Sequence, residues 1–234
     1  MEHAAAPEAL PLALARVHHE MAVGERLDLT VTDDWNHARL ARVLAGAGFE
    51  VVSNRRTSEG DRRRVRATRL RTLPDTVGPR MRTLVVGLNP SLYSADRGVG
   101  FARPGNRFWP AALASGLMTR DRDNFHALRV DRVGMTNLVK RATARADELS
   151  DDEYRDGATR VALLVEWLRP RAVCFVGLSG YRVAVDRRAV AGWQDPAFGG
   201  RPAYVMPNPS GLNAHATPAI LAEHLRVLQL GPRG

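Results

Sequence analysis

Short apolar runs recur along the second two-thirds of the chain. The clearest are residues 84–88, 172–177 and 203–206. Runs of this length are typical of strands that are buried on both faces of a parallel sheet. Each is followed by a segment of polar and turn-forming residues, so the chain after residue 81 predicts a doubly wound α/β arrangement.

Helical patterns alternate with these strands. Residues 108–117 predict one helix, and Ser150 with Glu153 forms a capping box that opens another, ending at Leu168. Thr217 followed by Pro218 is typical of a helix start and predicts a final helix. On that helix we expect four side chains to face inward: Ile220, Leu221, Leu225 and Leu228.

Residues 1–80 show a smaller α/β pattern. It predicts helices over 8–21 and 35–46 and strands over 27–32, 49–53 and 64–68. The order weakly resembles the last part of a class I methyltransferase fold, or a small sulfur-carrier fold. The first needs a glycine-rich loop after an initial strand and the second an N-terminal cysteine, and both are absent. We therefore predict a small non-catalytic accessory region, residues 1–80, joined to a main domain, residues 81–234.

Composition limits the possible chemistry. The 234 residues are 44 % apolar and 25 % charged, as in ordinary globular proteins. No apolar run approaches the roughly 20 residues of a membrane span, and the N-terminus lacks the order of a secretory signal, so we expect a cytoplasmic protein with no membrane partner. Cys174 is the only cysteine, which excludes a cysteine-held iron–sulfur cluster within one chain.

The charge points to a polyanion. The formal net charge is +9, and most of the excess lies after residue 80. Release of counterions from a nucleic acid would favour binding by such a surface. Arginine enrichment in a GC-rich genome is the alternative explanation, because Lys140 is the only lysine. Chemistry through a lysine Schiff base therefore has Lys140 or the N-terminal amine as its candidates.

Two loops after predicted strands carry the same tripeptide. Asn89-Pro90-Ser91 follows the first strand and Asn208-Pro209-Ser210 follows the last. Proline stiffens each turn, and asparagine can donate and accept hydrogen bonds without becoming charged. One Asn-Pro commonly does no more than end a strand. Two copies at the carboxyl ends of strands in one sheet indicate a binding crevice.

Three blocks identify a resemblance over residues 81–230: residues 87–90, 101–109 and 208–212. They resemble the mismatch-specific uracil DNA glycosylases, bacterial relatives of thymine-DNA glycosylase. The resemblance implies a three-layer α/β/α fold with a central, mostly parallel sheet. It also implies a monofunctional, cofactor-free and metal-free enzyme, a monomer associated with the nucleoid. Its substrate would be double-stranded DNA with uracil opposite guanine, hydrolysed at the N-glycosidic bond after base flipping.

The resemblance also assigns roles in the first loop. Asn89 matches the asparagine that positions water, and Phe101 matches the aromatic ring that stacks on the flipped base. The other expected pocket residues are Leu88, Ser91, Tyr93 and Ser94. Backbone N–H groups at Leu88 and from Ser94 to Asp96 are candidates to bind uracil oxygens. Ser91 and Tyr93 replace smaller residues of the family and would narrow the pocket. Asp96 is an added carboxylate, a second candidate to activate water or simply a solvated turn residue.

In the second loop, Leu212 matches a wedge that fills the gap left by the flipped base, with Gly211 allowing close approach. Asn208 and Ser210 would hold the loop or meet phosphate. Asn213 and His215 stand where the family contacts the opposing guanine. We expect Lys140 to be a surface lysine that faces phosphate or solvent rather than a nucleophile.

Other classes are less well supported. A protein that scans mismatched DNA without cleaving it is the main alternative. A serine hydrolase built on Ser94 or Ser210 lacks the G-x-S-x-G turn. The G-x-G at Gly98 and Gly100 does not directly follow a strand, so it is a weak dinucleotide signal.

Overall fold

The computed structural model describes residues 2–3, 6–32, 35–58, 60 and 62–232. They form two sheets, one of four strands and one of five, each with its own helices. No helix within these ranges is both long and apolar enough to cross a lipid bilayer.

The N-terminal unit is a helix layer on a four-stranded sheet. Its elements are β1 (Glu2–His3), α1 (Leu10–Glu20), β2 (Arg26–Thr32), α2 (His37–Gly46), β3 (Phe49–Arg56) and β4 (Arg62–Arg69). The strand order is β1-β2-β4-β3, with β1 and β2 parallel and the remaining pairs antiparallel. Alternating apolar residues of β2, such as Leu27 and Leu29, pack under both helices, whose Leu14 and Leu44 are fully buried.

The main domain is a three-layer α/β/α fold. Its strands are β5 (Thr83–Gly87), β6 (Val133–Asn137), β7 (Ala172–Val176), β8 (Gly192–Phe198) and β9 (Arg201–Met206). Its helices are α3 (Leu92–Arg97), α4 (Phe108–Ala114), α5 (Asn124–Arg129), α6 (Asp151–Leu168), α7 (Leu178–Ala184) and α8 (Pro218–Leu230). The order is β6-β5-β7-β9-β8, and only the edge strand β8 is antiparallel. One apolar cluster packs on each face, which confirms the predicted fold class.

Local signals placed most of these elements. The three apolar runs form β5, β7 and β9, and α6 begins at the predicted capping box of Ser150 and Glu153. Leu221, Leu225 and Leu228 are buried on α8 as expected. Ile220 is not: 45 % of its surface is exposed, because it lies on the outer side of the first turn. The prediction that it faces inward is wrong.

The segment between the two units is buried. Thr76 and Met135 exchange backbone hydrogen bonds of 2.9 Å, and the N–H of Asp75 donates to the carbonyl of Gly46 at 2.8 Å. Residues 72–78 are all buried. The predicted junction is therefore a packed strip that contacts both units.

Candidate active site

A cavity of about 460 Å³ opens at the carboxyl ends of the parallel strands. Such edges are where open α/β sheets bind ligands. Eight of the residues predicted from the sequence line it: Leu88, Asn89, Ser91, Ser94, Phe101, Asn208, Ser210 and Leu212. The structure thus brings the two Asn-Pro-Ser loops together around one space.

The amide of Asn89 is held in one orientation. Its Nδ2 lies 3.2 Å from the carbonyl of Pro90, 3.1 Å from that of Arg141 and 2.8 Å from Thr143 Oγ1. Thr143 donates its own hydroxyl proton to the carbonyl of Arg145 at 2.7 Å, so it presents a lone pair to the amide. All three neighbours are acceptors and require the nitrogen on that side. Oδ1 forms no hydrogen bond among the described residues and remains an acceptor at the cavity.

Ser91 begins the short helix α3 behind Asn89. Its Oγ accepts from the N–H of Ser94 at 3.2 Å, and its carbonyl accepts from the N–H of Ala95 at 3.0 Å. Ser94 Oγ in turn accepts from the N–H of Ala102 at 3.3 Å. The two N–H groups at Ser94 and Ala95 are therefore used inside the loop. The expectation that they bind a base is not supported by this placement.

Phe101 provides an aromatic wall. Its ring stacks on Phe108, with centroids 4.2 Å apart and planes at 27°. Its backbone φ is +55°, which costs a bulky residue about 1–2 kcal/mol. The following Ala102 is tied by its N–H to Ser94, and Trp109 Nε1 donates to the carbonyl of Gly100 at 2.7 Å. These contacts hold the ring at the cavity despite the strained backbone.

Asn137 is a cavity residue that sequence reasoning missed. It ends β6 and is buried, yet its side-chain amide forms no hydrogen bond among the described residues. A Cβ on the neighbouring Gly87 would lie 2.6 Å from Asn137 Nδ2, so glycine is required for the amide to stand there. The signal was the position itself, a polar residue at the carboxyl end of a buried strand.

Arg107 holds the second loop. Its Nη1 donates to the carbonyls of Asn213 at 2.7 Å and Ala216 at 2.9 Å, and its Nη2 donates to that of Gly211 at 3.3 Å. Its backbone N–H donates to the carbonyl of Pro209 at 2.9 Å. One guanidinium thus gathers three carbonyls of a loop more than a hundred residues away in sequence. The sequence gave Arg107 no role.

Leu212 is presented at the tip of this loop. It is 94 % exposed although it also borders the cavity. A Cβ on Gly211 would lie 2.9 Å from the carbonyl oxygen of Gly105, so only glycine lets the loop pack this closely against the first loop. The loop is further closed by Asn213, whose Nδ2 donates to the carbonyl of Asn208 at 3.0 Å.

Two predicted first-loop residues lie outside the cavity. Asp96 is exposed on α3, and both of its oxygens accept from Arg71, each at 2.7 Å. This pairing lowers the pKa of the Asp96 carboxyl and turns it towards the N-terminal unit. Tyr93 is also exposed, under the guanidinium of Arg97. The placement gives Asp96 no water to activate and does not let Tyr93 narrow the pocket.

Lys140 is buried rather than phosphate-facing. Its Nζ donates to Asp75 Oδ1 at 2.8 Å and to the carbonyl of Leu73 at 2.5 Å. Arg160 donates to the other oxygen of Asp75 at 2.8 Å, and the charges of Arg160 and Lys140 outweigh burial and keep the pKa of Asp75 low. Burial lowers the pKa of Lys140 to about 8. The expectation of a surface lysine that meets DNA is corrected by this ion pair.

The remaining second-loop candidates sit at the rim. Gly211 borders a smaller hollow of about 230 Å³ together with Arg103 and Leu212. His215 is exposed, and Asn213 is half-buried. No group of three or more His, Cys, Asp or Glu side chains in the described ranges could hold a metal ion.

The fold and the cavity define an α/β enzyme that receives a flat polar ring between an aromatic wall and two neutral amides. The family model that matches this chain is the uracil DNA glycosylase superfamily, over residues 74–229. The chain belongs to this superfamily, and it is a DNA glycosylase, a hydrolase of DNA repair that acts on uracil, in those general terms.

One similar solved structure is the solution structure described as "a putative Uracil DNA glycosylase from Methanosarcina acetivorans". It is 21 % identical, with a TM-score of 0.47, and the match covers 68 % of this chain and 98 % of that one. The match to the family model begins at residue 74, ahead of the junction predicted from the sequence.

Proposed function

We propose that this chain is a monofunctional glycosylase that removes uracil from G:U mismatches in duplex DNA and leaves an abasic site. The observation that carries the proposal is the fixed amide of Asn89, which leaves Oδ1 as an acceptor beside an aromatic ring and a second amide. The N-glycosidic bond cannot be reached inside a duplex, so the nucleotide would be flipped into the cavity.

Two side chains suit a flipped uracil. The ring of Phe101, backed by Phe108, offers a face on which a pyrimidine can stack. The amide of Asn137 can donate to a uracil oxygen and accept from a uracil N–H, because asparagine carries both kinds of group. Its lack of partners among the described residues leaves both groups available to a base.

The chemistry needs a placed water and a stabilised leaving group. As the bond breaks, its electron pair leaves with the uracil anion, the sugar becomes oxocarbenium-like, and water adds to the anomeric carbon. Oδ1 of Asn89 can orient that water but is a poor base because the amide is neutral. Donors to the departing anion, such as Asn137 Nδ2, would therefore supply much of the catalysis. We expect a slow enzyme.

Preference for a mismatch follows from the cost of flipping. A mismatched base is cheaper to extrude than a paired one, and Leu212 at the loop tip would occupy the gap. Asn213 and His215 flank this wedge and are the residues we propose to meet the opposing guanine.

Lys140 supports the absence of a lyase step. Its ammonium group lies in a buried ion pair with Asp75 and is held by the carbonyl of Leu73, so it is not placed to attack a sugar carbon. All the residues proposed for the reaction come from one chain, which is compatible with a monomer.

The test is a panel of 30-base-pair duplexes with uracil, thymine, ethenocytosine or hypoxanthine opposite each base, scored for alkali-labile sites. We expect release of uracil opposite guanine to exceed release opposite adenine. Borohydride should trap no covalent enzyme–DNA adduct. Intact duplexes after long incubation would overturn the proposal and favour a protein that scans mismatches, and a trapped adduct would overturn its monofunctional part.

A further inference from the structure

The N-terminal sheet leaves one face open. Its inner face carries Leu29 and Val65, which are fully buried under α1 and α2. On the outer face the alternate residues of β2 and β4 are exposed, as the burial of Arg26–Thr32 and Arg62–Arg69 shows. The described residues place no further element over this outer face.

Arginine dominates that outer face. The register puts five arginines there: Arg26, Arg55, Arg62, Arg64 and Arg66. We call these five residues the arginine face. They share the surface with two carboxylates, Asp28 and Glu50, so positive charge is in excess. Asp28 Oδ1 lies 3.4 Å from Nε of Arg64 and 3.3 Å from Nε of Arg66, so a single carboxylate faces two guanidinium groups.

The register also sets like charges against each other. Arg55 lies directly across from Arg64 on the neighbouring strand. Like charges in directly opposed positions destabilise a sheet, and a solvated surface normally mixes the two signs. A bound anion would remove this repulsion. Such an arrangement is therefore typical of a surface that receives a polyanion.

The spacing and the residue type suit phosphate groups. Arg62, Arg64 and Arg66 stand roughly 7 Å apart along β4, since alternate residues of a strand are spaced by twice its rise. Guanidinium groups bind phosphate oxygens in pairs, with a geometry that lysine lacks. Each strand of a duplex offers a phosphate charge about every 3.4 Å of axis, so a row at this spacing can follow a backbone.

We propose that the arginine face binds the phosphate backbone of duplex DNA, as a second contact beside the cavity. The choice of duplex DNA as the polyanion rests on the proposed function. The face is tied to the main domain by the packing of Trp35 on Trp167, with ring centroids 6.0 Å apart, and by the Arg71–Asp96 ion pair. A backbone contact of this kind adds affinity and salt dependence without reading sequence.

The test variant replaces Arg55, Arg64 and Arg66 by glutamine, which keeps part of each side-chain stem. The matched control replaces three exposed arginines at the amino-end side of the main sheet by glutamine: Arg129, Arg171 and Arg187. Both variants lose three charges, so a general effect of net charge would appear in both. Thermal melting checks that each variant is folded.

The measurement is binding to an undamaged 30-base-pair duplex by fluorescence anisotropy over a salt series. We expect the slope of log affinity against log salt to fall by about 2–3 in the arginine-face variant, since each lost phosphate contact contributes about 0.9. The control should change it by less than one. An unchanged slope in the arginine-face variant, an equal loss in the control, or a loss seen with single-stranded RNA and not with duplex DNA would overturn the proposal.

The assay separates this inference from the proposed function. Uracil release at saturating protein is scored on the same preparations, and we expect the arginine-face variant to match the wild type there. Binding to undamaged duplex is read without any glycosylase activity. Failure of every lesion duplex to react would thus contradict the proposed function, while the salt slopes alone decide the role of the arginine face.

Discussion

The two loops that begin with Asn-Pro-Ser use the same amide in opposite ways. Asn89 binds its surroundings through Nδ2 and leaves Oδ1 at the cavity. In the second loop, Oδ1 of Asn208 accepts from the N–H of Ser210 at 2.9 Å, and its Nδ2 forms no hydrogen bond among the described residues. The first loop therefore presents an acceptor, which suits water, and the second a donor, which suits phosphate. A shared tripeptide does not fix the polarity of a site, because the surrounding partners choose which end of the amide is free.

The largest expected effect separates these two amides. Asn89→Ala removes the proposed water acceptor, and we expect the single-turnover rate of uracil release to fall by about 100-fold or more, as for loss of a key positioned polar group. Asn208→Ala should lower that rate less than tenfold and act mainly on DNA affinity. Quench-flow assays on a U:G duplex measure the rates, and anisotropy measures the affinity. Equal rate losses in both variants would contradict the comparison.

The next effect tests what holds the second loop. Arg107→Ala releases the carbonyls of Gly211, Asn213 and Ala216, and we expect about a 30-fold loss on U:G duplex, equivalent to roughly 2 kcal/mol. Arg107→Lys should restore little, because lysine cannot bind several carbonyls with a planar fork. Activity on single-stranded DNA is the control. If it falls equally, Arg107 serves the fold as a whole and not the loop.

The wedge itself should matter about tenfold. Leu212→Ala removes the exposed side chain that would fill the gap, and extrusion from a paired duplex costs a few kcal/mol that the wedge helps to offset. We expect the rate on U:G duplex to fall about tenfold more than the rate on single strands, a difference of about 1.4 kcal/mol. Equal losses on both substrates would remove the wedge from the second loop's role.

The smallest expected effect concerns the partner of Asn89. Thr143→Val removes the acceptor that lies 2.8 Å from Nδ2, and we expect kcat to fall about fivefold with KM nearly unchanged, a cost of about 1 kcal/mol for one hydrogen bond. Thr143→Ser keeps the hydroxyl and should recover the rate. A rise in KM without a change in kcat would show that Thr143 shapes the cavity and does not orient the amide.

The sequence predicted the main sheet and the two loops because those features depend on local patterns. Apolar runs defined β5, β7 and β9, and a capping box defined the start of α6. The strand β6, Val133–Asn137, was no more than a short segment in the sequence, because glycine, threonine and asparagine interrupt its apolar character. Its burial comes from packing on neighbours that no local pattern reveals.

The errors at the site have one physical source. Asp96 is paired with Arg71 and Lys140 with Asp75, partners that are 25 and 65 residues away in sequence. The role of Arg107 depends on carbonyls 104 to 109 residues away. Residue type and local spacing suggested what each side chain can do. Which partner it meets is decided by the tertiary fold.

The buried strip of residues 72–78 limits how the molecule can be divided. Leu73 forms part of the cavity wall, and Asp75 supplies the carboxylate shared by Lys140 and Arg160. A shortened enzyme that starts at residue 81 would keep both cations in the interior with that counter-charge removed, a loss that typically costs 3–5 kcal/mol. Any catalytic fragment must therefore retain this strip, and the boundary between the two units is better placed ahead of Thr72 than at residue 80.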